Sequence, residues 1–161
     1  MTDVEPMDNK YTPEEVDYKF GCLNSVDEEF RGIVDRAIAH LPKEVVDWVT
    51  EKVFFVSSCN EYLAFSVNFK DWKHLDGFIF LSENLRKKSE KSQTFIIVHE
   101  IAHQKLKHVS FSSENEKENA MEREANDLAF KWLGSEYEAE YKNHLKLRLK
   151  LENQFAKLNK K

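Results

Sequence analysis

The stretch Thr94–His108, TFIIVHEIAHQKLKH, carries the residues best suited to chemistry. His99 and His103 stand four positions apart, and Glu100 directly follows the first. On an α-helix, residues i and i+4 differ by about 40° in direction and lie one turn apart. The two imidazoles therefore project side by side and can place two nitrogens on one Zn2+. Glu100 points about 100° away from His99 around the axis. That is too far round for a third ligand, but its carboxylate can reach a water beside the same ion. This HExxH spacing is the one that zinc-dependent peptide hydrolysis requires.

Phe95, Ile96, Ile97, Val98, Ile101 and Ala102 surround the pair on nearly every side. A helix that is apolar all round is buried. Polar groups in a buried segment need partners, and a metal is the most economical one. A catalytic tetrahedral zinc takes three protein ligands and leaves one position open. The remaining histidines are His40, His74, His108 and His144. His108 falls one residue short of the metzincin spacing, and Leu106 stands where that pattern has Gly. A continuous helix would also swing His108 about 140° off the face of the pair.

A carboxylate from a second helix is the alternative. MEREANDLAFKWL, Met121–Leu133, supplies one. Met121, Ala125, Leu128, Ala129 and Trp132 form its expected buried stripe, with Glu124 at one edge, where a carboxylate can turn inward. Glu118 sits at the opposite edge and Glu122 beyond it, both expected to be solvated charges on the helix face. Periodicity alone does not choose among the three.

The elements that must position these residues follow from the same kind of reading. Asn24 or Ser25 is the expected N-cap of a helix carrying Phe30, Ile33, Val34, Ala37 and Leu41. Pro42 ends that helix and opens another holding Val45, Val46 and Trp48. Lys52–Ser58 and Glu61–Phe69 are β-branched and aromatic, with Cys59-Asn60 expected to join them as a tight hairpin. Gly77–Ser82, GFIFLS, is a third strand. Helices are predicted over Thr94–His108 and Glu116–Leu133, the second closed by Gly134, and a long final helix over residues 136–158. The expected class is α+β: a small antiparallel sheet of about three strands, the HExxH helix, a glutamate-bearing helix and further N- and C-terminal helices. Residues 1–161 are expected to form one domain, with residues 1–12 loose.

Composition narrows the function classes. The chain has 161 residues, 41% of them apolar, which suits a single core. A net charge of -5 argues against general nucleic-acid binding. Charge is uneven, with nine acids against two lysines in residues 1–30 and seven basic residues against Glu152 from Tyr141 onward. No apolar run approaches the roughly 18–20 residues that span a bilayer. Cys22 and Cys59 form no CxxC pair, which argues against a cysteine zinc site. With an acidic, polar start and no secretory signal, a reducing cytoplasm is the expected setting. Cys22 could in principle occupy an open metal position, though a plain buried cysteine is the simpler expectation.

HEIAH followed about twenty residues later by EREANDLAF resembles the ImmA/IrrE-type metallopeptidases, compact gluzincins. The likeness spans about half the chain, from Phe54 to Leu133, and includes GFIFLSENL ahead of the HExxH helix. Residue by residue, the resemblance implies metal ligands His99, His103 and Glu124, Glu100 as the catalytic glutamate, and Asn126 as support between the helices. It implies Zn2+ as cofactor and a protein or peptide substrate, such as a transcriptional repressor. Two features depart from the family: FKWLGSEYE runs on into another helix, and no helix-turn-helix domain is recognisable.

The implied chemistry is endopeptidase hydrolysis. Glu100 would take a proton from a water activated by the metal and return it to the leaving amine. Tyr137, Tyr141, His108 and His144 are the candidates for stabilising the oxyanion. GFIFLS is the expected edge strand for holding an extended peptide. The alternative function is a zinc-stabilised binding or regulatory module without turnover. Neither the substrate nor the oligomeric state follows from the sequence.

Overall fold

The computed structural model describes residues 10–20, 24–25, 27–58, 63–69, 73–108, 115–139 and 141–142. Its class is α+β, as the sequence leads one to expect. Helix α1 spans Pro13–Phe20, α2 Glu28–Ala39 and α3 Lys43–Lys52. Strands β1 (Asn24–Ser25), β2 (Val53–Ser58), β3 (Ala64–Asn68) and β4 (Gly77–Ser82) form one sheet. Then come α4 (Glu83–Arg86), α5 (Glu90–Lys105) and α6 (Asn115–Leu133). The expected loose start falls largely in residues 1–9, outside the described residues; of the expected final helix, residues 136–139 and 141–142 are helical and residues 143–158 lie outside the described residues.

Asp27, rather than Asn24 or Ser25, caps α2, its Oδ1 accepting from the Phe30 amide at 3.0 Å. Glu28 and Glu29 then lie in the first turn, where the helix dipole favours acids. Asn24 and Ser25 instead pair in parallel with Phe55 and Val56. Pro42 separates α2 from α3 as expected, and its carbonyl accepts from the amides of Val45 and Val46 at 2.9 and 3.0 Å.

The sheet is mixed rather than purely antiparallel, in the order β1-β2-β4-β3. β2 runs parallel to β4 from Val53 opposite Gly77 to Ser58 opposite Ser82. β3 runs antiparallel to β4, from Ala64 opposite Leu81 to Asn68 opposite Gly77. The hairpin expected between β2 and β3 is therefore absent, because β4 lies between them. It is β3 and β4 that form the hairpin, with the Phe69 amide donating to Asp76 O at 2.8 Å. Apolarity explains the order. In β4, Ile79 and Leu81 are fully buried, whereas β3 carries Ala64, Ser66 and Asn68 on alternate positions. The most apolar strand takes the interior and the more polar one the edge. GFIFLS is thus an inner strand, and the edge beside α5 is β3.

Helix α5 packs against α2, α6, β3 and β4. Ile97, Val98, Ile101 and Ala102 are fully buried, as its all-round apolarity predicts. Burying each of the large aliphatic side chains contributes about 1.5–3 kcal/mol. Gln104 is fully buried too, its Nε2 donating to Val67 O at 2.9 Å and Phe78 O at 3.1 Å. This amide fastens the site helix to the edge strand and to its neighbour.

Candidate metal centre

Ser89 starts α5, its hydroxyl accepting from the Ser92 amide at 3.3 Å. The helix carries His99 and His103 on one side, with ring centroids 4.6 Å apart. Their Nε2 atoms are 3.0 Å from each other. The i, i+4 geometry inferred from the motif is realised.

The carboxylate that meets this pair is Glu122. Its Oε2 lies 3.3 Å from His99 Nε2 and its Oε1 3.3 Å from His103 Nε2. Glu124, the expected third ligand, turns to a different partner: its Oε2 lies 3.1 Å from His108 Nε2, and its side chain is 64% exposed. The reason lies in which face of α6 is buried. Ala125 and Ala129 are fully buried and Leu133 nearly so. Met121, Leu128 and Trp132, the large residues of the expected stripe, are only partly covered. At about 100° per residue, the Ala125–Ala129–Leu133 face passes within about 20° of Glu122 and lies about 140° from Glu124. Small residues allow α6 to approach α5 closely, so they, rather than the bulkiest apolar ones, mark the contact face. That spacing of Glu122 before Ala125 and Ala129 was the available signal, and a stripe centred on Trp132 hid it.

The donor set fits a divalent ion. Bonds of about 2.0–2.1 Å to a tetrahedral zinc put neighbouring donor atoms about 3.3 Å apart. The three contacts here are 3.0, 3.3 and 3.3 Å. Two imidazoles and one carboxylate also match the ligand types of a hydrolytic zinc site.

Electrostatics lean the same way. The Glu122 carboxyl is held well below the ordinary carboxylate range by hydrogen bonds from His103 and His99. Burial alone would push the His99 imidazole down, but the Glu122 hydrogen bond and the charges of Glu100 and Glu122 together raise it. The cluster therefore favours positive charge between its members. Glu100, partly buried on α5, is near enough to His99 to contribute to that field.

The other candidate residues fall in distinct places. His108 does not extend α5. Lys107 has a φ of 55°, a left-handed conformation that reverses the chain, and the His108 amide donates back to His103 O at 3.1 Å. This returns the His108 ring to His103, with the two Nδ1 atoms 3.0 Å apart. Burial lowers the His108 pKa, an effect that Glu124 partly offsets. Asn126 Nδ2 donates to the Tyr141 hydroxyl at 3.1 Å. The Tyr141 ring packs on Phe95 and Phe130, with centroids 4.8 and 5.6 Å away. Tyr137 belongs to the core and stands edge-on to His40 at 5.9 Å. His144, Cys22 and Cys59 lie outside the described residues. Among the described residues, no helix is long and apolar enough to cross a membrane.

Comparison with known proteins gives one result. No curated protein and no solved structure matches the chain significantly. The family model Peptidase_M78, described as the IrrE N-terminal-like domain, matches residues 60–141. That is just over half of the 161 residues, and it takes in β3, β4, α5 and α6, with every residue of the histidine–glutamate cluster. The chain belongs to the Peptidase_M78 family, the IrrE N-terminal-like peptidases.

Proposed function

We propose that the protein is a zinc-dependent endopeptidase in which His99, His103 and Glu122 hold the ion and Glu100 acts as general base. The observation that carries this reading is the set of donor contacts at 3.0–3.3 Å from two imidazoles and a carboxylate. A divalent ion held there supplies Lewis acidity, which polarises a substrate carbonyl and makes water nucleophilic near neutral pH. Glu100 accepts the proton of the attacking water on its carboxylate and delivers it to the nitrogen of the leaving amine. A structural ion alone would have no use for an acid in that place.

A peptide substrate requires an extended partner. The outer edge of β3 suits it, because this strand bonds to β4 on one side and lies against α5. Tyr141 bonds through its hydroxyl to Asn126, which lies beside His99, and is our choice for the oxyanion because a tyrosine hydroxyl is a hydrogen-bond donor. The chain's resemblance to the ImmA/IrrE-type metallopeptidases suggests a regulatory protein, such as a transcriptional repressor, as substrate. Two cysteines without a CxxC pair suit a reducing, cytoplasmic setting.

Glu100→Gln tests the mechanism. The expected variant keeps its metal and its melting temperature and cleaves about 10²–10⁴-fold more slowly. Turnover at the wild-type rate, measured on the same protein substrate, would remove Glu100 from the mechanism.

A further inference from the structure

His103 has two ring nitrogens, and only Nε2 faces His99 and Glu122. Its Nδ1 lies 3.0 Å from His108 Nδ1. His108 in turn presents Nε2 to Glu124 Oε2 at 3.1 Å. These contacts form a line from an exposed carboxylate, through one imidazole, to the back of a second. We propose that Glu124 and His108 are positioning residues that fix the tautomer and the aim of His103, so that its Nε2 lone pair faces the space shared with His99 and Glu122.

With a divalent ion taking up Glu122, which lies 3.3 Å from His103 Nε2, proton accounting allows one neutral arrangement. Glu124 as a carboxylate can only accept, so His108 Nε2 carries its proton. His108 Nδ1 is then a bare acceptor. His103 Nδ1 must carry the hydrogen for that contact, and His103 Nε2 is left with a free lone pair. A metal ligand requires that lone pair, and a histidine ligand commonly donates its other N–H to a partner that orients the ring. Here a second imidazole serves as that partner, itself oriented by an acid.

The surrounding chain is built to hold His108 there. The left-handed Lys107 ends α5 two residues after its last helical turn and carries His108 back over the helix. Asn68 of β3 donates from Nδ2 to His108 O at 2.6 Å. The His108 ring is nearly buried. An incidental surface histidine would have neither the reversed backbone nor the anchor from the edge strand. The arrangement also explains why a carboxylate stands at position 124, on the flank of α6 away from the Ala125–Ala129 face.

This proposal rests on His103 being a ligand, so the test separates the two. Nitrogen-15 NMR of the metal-free Glu122→Ala variant near pH 9 reports the tautomer of neutral His103 without the competing carboxylate. The Nδ1–H form, the less common one for free imidazole, is expected in that variant, and reversion toward Nε2–H when His108→Phe is added. Zinc affinity is then measured by chelator competition. Glu124→Ala and His108→Phe are each expected to lose about 10–100-fold, and His108→Gln, which can still accept and donate, to recover most of the loss. Glu124 is exposed, so its variant folds if any does. An Nε2–H tautomer of His103 in the Glu122→Ala variant, or zinc affinity within about twofold of wild type in both Glu124→Ala and His108→Phe, overturns the relay. Zinc binding that survives Glu122→Ala but not Glu124→Ala makes Glu124 a direct ligand and overturns the relay together with the ligand set. If zinc fails to bind the wild type at all, the ligand set falls and the His103 tautomer still decides the relay.

Discussion

Glu122 and Glu124 are two residues apart on one helix and meet different partners. Glu122 bridges two imidazoles from α5, and its side chain is half exposed, so little of the core depends on it. Replacing it with Ala removes one of three donors and leaves the helix packing on Ala125 and Ala129. We expect Glu122→Ala to lose zinc affinity by more than about 100-fold, beyond what loss of an outer partner costs. Metal content after dialysis checks this against Glu124→Ala. Equal retention by the two variants would contradict the different roles assigned here.

At the scale of elements, the site depends on how closely α5 lies on the sheet. Gly77 opens β4 where that approach is tightest. A Cβ there would stand 2.2 Å from Val67 O and 2.3 Å from Gln104 Oε1. The backbone carbonyl cannot yield as a flexible side-chain tip can. Gly77→Ala must therefore spread β3 from β4 or expel Gln104, which would break its two bonds to the sheet. The expected cost is about 1–3 kcal/mol, read as a lowered melting temperature. A variant that melts within about a degree of wild type would show that the strands relax freely. At the far end of α6, Gly134 has a φ of +98°, and its amide donates to Phe130 O at 2.8 Å. The glycine closes the helix because side chains rarely tolerate that conformation.

The whole molecule is tied across its elements by Arg86 at the end of α4. Its guanidinium bonds to Asp27 and Glu29 at the start of α2 and to Glu83 on its own helix, and it lies 4.0 Å from the centre of the Phe30 ring. Asp27 serves two roles, as cap and as ion-pair partner. The Phe30 amide and then Arg86 lower its pKa from the ordinary value of 3.8. Because the folded value is the lower one, the stabilisation is fully present above 3.8 and is lost as pH falls through the folded value. Asp27→Asn keeps a capping oxygen but loses that dependence. Its melting temperature is expected below wild type near neutrality, with the gap closing as the buffer is taken below about pH 3.8. A gap that stays constant with pH would mean that the Asp27 charge does not contribute.

The sequence by itself determined the class of the fold and the side-by-side placing of the histidine pair. Local spacing was enough to set His99 beside His103, because one helix carries both and the helix repeat sets their directions. All-round apolarity was enough to bury α5, and Pro42 and Gly134 were enough to end their helices. What the tertiary structure decided was every choice between elements. Which strand lies inside depended on how β4 competed with β3 for two neighbours, and the hairpin of β3 with β4 followed from that. The partner of the histidine pair depended on which face of α6 came nearest, and two small alanines decided it against three larger side chains. His108 depended on a single left-handed residue, which turned it from a position off the helix face to one against His103. Periodicity records the direction of a side chain from its own axis; only the packing of one axis on another decides what that side chain meets.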